Sequence, residues 1–305
     1  MKNRIGIIVI FVLIFCLVLG GSLTANGAET KKIVVGAKDF TEQYVLGNMI
    51  SLLLQENGFK VEEKFGTAAA ITRAALISGQ IDLMPDYTGT ASAVYFKYPE
   101  KINDPVELYE RVKKDDLEQN NMVWMGRTSF NNTYALAIKK DMINEMGTTI
   151  SSLAEYVNKD PEKVLFAVNH TFYEREHDGI FAMAKFYGMN ILRKNVKAMD
   201  TGLTYEAINR NQVNVAMVFG TDAKLKKFNL LVLEDDKNFF PIYNISIVIR
   251  KDVLDKYPEI EKILLPITTL IDTEAMINLN YEVDGNGKPA RIVAEEFLKE
   301  KGLIK

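Results

Sequence analysis

The side chains of this chain best placed to do chemistry are aromatic, and the chemistry they suit is binding rather than reaction. Pro85-Asp86-Tyr87-Thr88-Gly89-Thr90 sets Tyr87 on a turn at the carboxyl end of an apolar strand, Ile81-Asp82-Leu83-Met84. Ligands of open α/β sheets sit at that end of the strands. A tyrosine face there is better suited to bind a cation than to bind a metal or a phosphate, because the ring's negative quadrupole attracts positive charge. Tyr134, Phe219 and Tyr243 fall in comparable places. Together the four suggest a cage for a quaternary ammonium group, which carries charge but no N–H to donate. Each face contributes about 0.5–2 kcal/mol, so four give about 2–8 kcal/mol, against the ~8 kcal/mol that micromolar affinity requires. By residue pattern alone, Tyr134 and Phe219 also fit an apolar core.

Catalytic patterns are poor. The chain has two histidines, His170 and His177, and one cysteine, Cys16, so no His/Cys metal set is expected. There is no Gly-x-Ser-x-Gly elbow, phosphate loop or His-Glu-x-x-His motif. Asp82 and Asp86 read as strand and turn contacts rather than a glycosidase pair. The expectation is a protein with no catalytic residues, no metal and no cofactor.

The elements that must position these rings alternate in type. Strands are expected at 33–36, 60–64, 81–84, 164–168, 196–199 and 213–219. Helices are expected at 41–57, 68–78, 105–119, 179–187 and 204–211, with three more near the end at 259–271, 273–283 and 289–301. Asp104-Pro105 has the order of a helix start, cap residue first and proline at N1. Gly58 and Gly79 suit helix ends, and Thr67 suits the cap of the second helix. Repeated strand–helix–strand units imply α/β architecture with mostly parallel sheets flanked by helices.

The start of the chain bears on compartment. Lys2 and Arg4 precede an apolar run from Ile5 to Leu19, followed by small and polar residues from Gly20 to Ala28. This is the pattern of an export signal over residues 1–28. The run is short for a membrane span, which needs roughly 20 apolar residues. An uncleaved anchor remains the alternative to removal near Gly27 or Ala28. Phe15 before Cys16 argues against a lipid anchor there. Setting Lys2 and Arg4 aside takes the formal net charge from −3 to −5. With no basic block, nucleic acid is not an expected partner.

Seven segments, in order, carry a family resemblance. They are Lys38-Asp39-Phe40-Thr41-Glu42-Gln43, Pro85-Asp86-Tyr87-Thr88-Gly89-Thr90, Asn131-Asn132-Thr133-Tyr134-Ala135-Leu136, Asp178-Gly179, Thr201-Gly202-Leu203-Thr204-Tyr205, Gly220-Thr221-Asp222 and the run from Glu234 to Pro241. The chain resembles the substrate-binding proteins of osmoprotectant ABC importers, the OpuC-like glycine betaine/carnitine/choline type. That resemblance implies a two-lobed periplasmic-binding-protein fold of type II, with the ligand in a cleft between lobes. The lobes would be 29–136 plus 245–305, and 137–244, joined where Tyr134–Ile138 and Tyr243–Ile249 cross over.

It also implies an exported monomer that serves a membrane permease driven by a separate ATPase. The family holds a trimethylammonium head among four tyrosines, which correspond to Tyr87, Tyr134, Phe219 and Tyr243, so Phe219 departs from the pattern by losing a hydroxyl. Gln43, Thr88, Asn132 and Thr221 are expected as polar contacts to the ligand's other end, with Thr67 and Asn131 as further candidates. Some choline-selective members carry an acidic residue near the turn where this chain has Ala68, Ala69 and Ala70. That difference leaves room for a larger betaine such as ergothioneine, a trimethylated histidine derivative. A sensory module that binds without delivering is the rival from another class.

Overall fold

The computed structural model describes residues 31–176 and 179–305. The export-signal pattern with Cys16, together with His177 and Asp178, lies outside the described residues. In chain order the strands are β1 (Lys32–Lys38), β2 (Lys60–Thr67), β3 (Leu83–Tyr87), β4 (Met122–Met125), β5 (Tyr134–Lys139), β6 (Phe166–Asn169), β7 (Val196–Met199), β8 (Val215–Phe219), β9 (Leu230–Val232) and β10 (Ile245–Arg250). The longer helices are α1 (Thr41–Glu56), α2 (Ala69–Ile77), α3 (Pro105–Asn120), α4 (Ile150–Lys159), α5 (Ile180–Tyr187), α6 (Thr201–Asn209), α7 (Glu259–Leu270), α8 (Thr273–Asp284) and α9 (Ala290–Glu300).

Two five-stranded sheets result, ordered β2-β1-β3-β10-β4 and β7-β6-β8-β5-β9. In the first, β10 runs antiparallel to both β3 and β4, while β1 is parallel to β2 and β3. In the second, β5 runs antiparallel to β8 and β9, while β6 is parallel to β7 and β8. Each sheet therefore has four strands pointing one way and one reversed strand in the same place. The chain enters the second sheet on one reversed strand and re-enters the first on the other. This is the two-lobed α/β fold expected from the residue pattern and the resemblance.

The segments between the sheets run side by side. The Asn132 amide donates to the Tyr243 carbonyl at 3.2 Å, and the Tyr243 amide to Asn131 Oδ1 at 2.7 Å. Thr133 Oγ1 donates to the Pro241 carbonyl at 2.7 Å, and Asn244 Nδ2 to the Phe130 carbonyl at 2.7 Å. The two crossings are thus zipped together, largely by asparagine side chains.

Local rules explain most of the elements. Asp104 caps α3 as expected, accepting from the Val106 and Glu107 amides at 2.8 Å. Gly58 and Gly79 take left-handed φ values of 82° and 77° at helix ends. Along α1, Val45, Leu46, Met49, Ile50, Leu53 and Leu54 are buried in the core of the first sheet. Three details differ from the sequence reading. The third strand lies at Leu83–Tyr87 rather than 81–84, so Tyr87 ends the strand instead of standing on a turn. Its pairing with β1 stops at Leu83, and β10 alone continues alongside Pro85, a setting that tolerates a residue without an amide N–H. Thr67 ends β2 and contacts Thr72 at 2.7 Å, while Ala68 takes the cap position of α2 with no side-chain bond. Strands β4 and β9, of four and three residues, are too short for periodicity to reveal.

Candidate functional site

Where the two sheets face each other, a cleft of about 460 Å³ is walled by residues from both. From the first sheet and its helices come Lys38, Phe40, Thr41, Glu42, Ala69, Tyr87, Asn280 and Asp284. Phe219, Thr221, Asp222 and Ala223 come from the end of β8 and the loop beyond it. Asn132 and Tyr243 come from the paired crossings. Three of the four expected cage aromatics, Tyr87, Phe219 and Tyr243, therefore share one wall system.

Tyr87 is 5% exposed and closely held. Its hydroxyl donates to Glu42 Oε1 at 2.7 Å, and Phe40 stacks on it with ring centroids 6.1 Å apart. Lys38 Nζ lies 4.9 Å from the Tyr87 ring centroid and pairs with Asp86 at 2.6 Å. Asp86, fully buried, also accepts from the Tyr87 amide and from the Tyr95 hydroxyl, each at 2.8 Å. The Pro85-Asp86-Tyr87 segment is thus pinned by charge as well as by strand pairing. Burial, with Glu42 close by, holds the Tyr87 phenol well above its ordinary value, so it stays a donor.

Tyr134 is placed differently. It opens β5 directly opposite Phe219 in the strand register. Its ring lies 5.1 Å from Phe219 and stacks on Phe172 at 5.4 Å, with the Arg175 guanidinium 5.6 Å from its centroid. It borders a neighbouring cavity with Asn131 and Thr133, on the same face of the sheet as Phe219, which lines the cleft. Among the expected polar contacts, Asn132 and Thr221 line the cleft. Gln43 and Thr88 are fully buried beneath it. Gln43 accepts from the Lys38 amide at 3.2 Å, and Thr88 Oγ1 donates to the Ile242 carbonyl at 3.3 Å. Gln43 thereby holds the wall residue Lys38, and Thr88 holds the residue that precedes Tyr243.

The sequence reading passed over Glu42, Phe40 and Asn280. Glu42 lies in the first turn of α1 and is 2% exposed. It accepts from Tyr87, from Asn132 Nδ2 at 3.1 Å and from Asn280 Nδ2 at 3.5 Å, and it contacts the Thr221 hydroxyl. Burial raises its carboxyl above the usual 4.5, while the four donors oppose that rise. An acid in the first turn of a helix normally reads as a partner of the helix dipole, which hides a binding role. Asn280 is 238 positions from Glu42 in the chain, and no local pattern connects them. Among the described residues, no group of His, Cys, Asp and Glu could hold a metal.

Comparison with known proteins places this geometry among relatives. Residues 31–300 match the family described as the substrate binding domain of ABC-type glycine betaine transport systems. A glycine-betaine-binding protein of Pseudomonas aeruginosa is 37% identical over 295 residues, 95% of this chain and 94% of that one. The ergothioneine transport permease/ergothioneine binding protein EgtU of Helicobacter pylori is 38% identical over 281 residues. That match takes in 91% of this chain but 49% of the longer relative. The solved structure of apo YehZ from Escherichia coli superposes with a TM-score of 0.81 at 30% identity, covering 90% of this chain and all of that one.

Proposed function

Because the chain belongs to the substrate-binding domains of ABC-type glycine betaine transport systems, we propose that it captures a quaternary ammonium compound in this cleft and hands it to a membrane permease. Proteins of this family bind and deliver; they are not enzymes. The observation that carries the ligand class is the convergence of Tyr87, Phe219 and Tyr243, from three separated parts of the chain, on one cleft beside a buried carboxylate. Aromatic faces suit a cation without N–H donors. Cage membership for Tyr134 rests on the resemblance, and its ring beside Phe219 on one face of the sheet supports it.

The proposed cycle is hinge closure of lobes 29–136 plus 245–305 and 137–244 about the paired crossings. It runs outside the cytoplasmic membrane, as a monomer that serves a permease with a separate ATPase. Among the described residues, no helix is long and apolar enough to cross a membrane.

A second reading has a specific observation behind it. Ala69 lines the cleft, and Phe219 brings no hydroxyl to it. Both leave apolar room for a betaine with a bulky ring, and a relative named for ergothioneine is 38% identical. Calorimetric titration against glycine betaine, carnitine, choline, proline betaine and ergothioneine, with proline as control, tests both readings. Saturable binding of one compound with no heat from proline is the expected result. No binding across the set would overturn the ligand class and leave the fold untouched.

A further inference from the structure

The cleft contains a buried negative charge without a positive partner. Glu42 is 2% exposed and lines the wall, and no base among the described residues forms an ion pair with it. The one lysine in the wall, Lys38, is already paired with Asp86 at 2.6 Å. A charge buried in this way is costly unless something compensates it. Two kinds of compensation are visible. Glu42 sits in the first turn of α1, where the helix dipole favours an anion. Its oxygens also collect donors from four separate places: Tyr87 at the end of β3, Asn132 in the first crossing, Thr221 beyond β8 and Asn280 in α8. The amide group of Asn280 is fixed in orientation, because its nitrogen also faces the Thr221 carbonyl at 2.8 Å. An ionised carboxylate has room to accept from Tyr87, Thr221 and the two amides together.

We propose that Glu42 is the counter-charge of this site and determines its preference for a cation over a neutral ligand of the same shape. This rests on the quaternary ammonium reading above. Glu42 acts in two ways. Its field reaches directly into the cleft it lines, where little water screens it. It also acts through Tyr87: a phenol that donates to a carboxylate has an electron-richer ring, and that ring faces the ligand. A tert-butyl group and a trimethylammonium group are nearly the same size, so shape cannot separate them. The aromatic faces and the wall's Asp222 and Asp284 also favour the charged one, and Glu42 is the buried charge that adds to that preference. The charge difference between them is what Glu42 would read.

The test uses matched pairs that differ by carbon for nitrogen. Choline is compared with 3,3-dimethyl-1-butanol, and glycine betaine with 3,3-dimethylbutanoate, by titration calorimetry of the wild-type protein and of Glu42→Gln. The wild type is expected to favour at least one charged member by tenfold or more. Glu42→Gln should cut that ratio at least tenfold, while affinity for the neutral-headed member changes less than threefold. Equal weakening of both members would show that Glu42 only positions the wall, and would overturn the proposal. So would an unchanged ratio. If the wild type binds neither charged member nor any other quaternary ammonium compound, the cage reading fails and takes this one with it. Should Glu42→Gln not fold, Tyr87→Phe keeps the ring and removes the bond to Glu42. The charged-to-neutral ratio should then fall several-fold, and no change would overturn the proposal.

Discussion

A trimethylammonium group is large, charged and unable to donate a hydrogen bond, so what holds it must be polarisable surface with a favourable field. Tyr87 meets that need most fully, being fixed by Glu42, Phe40 and the Lys38–Asp86 pair. Tyr87→Ala removes the ring and leaves the Glu42 carboxylate short of a donor. Affinity for the bound quaternary ammonium compound should fall well over tenfold by calorimetry, and unchanged binding would remove Tyr87 from the cage. A pH dependence follows from the same pair. Burial raises the Glu42 carboxyl above 4.5, and a cation in the cleft favours the ionised form. Binding therefore expels a proton, and affinity strengthens as pH rises through the Glu42 value of the empty protein. The weakening on acidification should set in while the pH is still above 4.5. Titrations between about pH 4 and pH 8 would reveal it, and a flat profile would show that Glu42 keeps one charge state throughout.

At the scale of elements, the site depends on close approach between the turn after β3 and the second crossing. A Cβ built on Gly89 would lie 2.6 Å from the Ile242 carbonyl oxygen and 2.6 Å from the Tyr243 ring. The backbone oxygen cannot swing away as a side-chain tip could, so only glycine lets Tyr243 reach the wall. Gly89→Ala should push the 242–243 segment outward and weaken ligand binding about tenfold or more, on the order of 1.4 kcal/mol. Circular dichroism should remain that of the parent. Full affinity in Gly89→Ala would mean that Tyr243 makes no energetic contribution. Further from the cleft, Arg73 of α2 forms a two-pronged pair with Asp116 of α3 at 2.9 and 2.5 Å, and Trp124 Nε1 also donates to Asp116 at 2.7 Å. This ties the helices that flank β3 and β4, so the strand carrying Tyr87 rests on a braced support.

For the whole molecule, the consequential feature is the pair of crossings joined by Asn131, Thr133, Pro241 and Tyr243. Two adjacent strands of chain form a narrow connection about which two sheets can rotate as rigid bodies. Asn132 and Tyr243 belong to that connection and also wall the cleft, so a ligand held there would touch the proposed hinge itself. A saturating quaternary ammonium ligand should lower the radius of gyration measured by small-angle scattering. An identical radius with and without ligand would show that capture proceeds without closure.

Local physics made part of this legible in the residues alone. The cap and proline that open α3, the glycines that end α1 and α2, and the apolar periods of the longer helices depend on neighbours within a few positions, so α/β alternation could be read directly. The motif around Tyr87, and those placing Phe219 and Tyr243, were legible as well, because an aromatic at a strand end is a local feature. What the tertiary structure decided was which of these groups meet. Tyr134 and Phe219 sit opposite each other in one strand register, so their rings share one face of the sheet 5.1 Å apart, a pairing that no local pattern reveals. Gln43 adjoins Glu42 on α1, yet the turn of the helix sends Glu42 to the wall and Gln43 beneath it. Asn280 reaches the site from the far end of the chain. Burial of a charge and the gathering of its donors are long-range properties, since they depend on what the rest of the chain packs against that point.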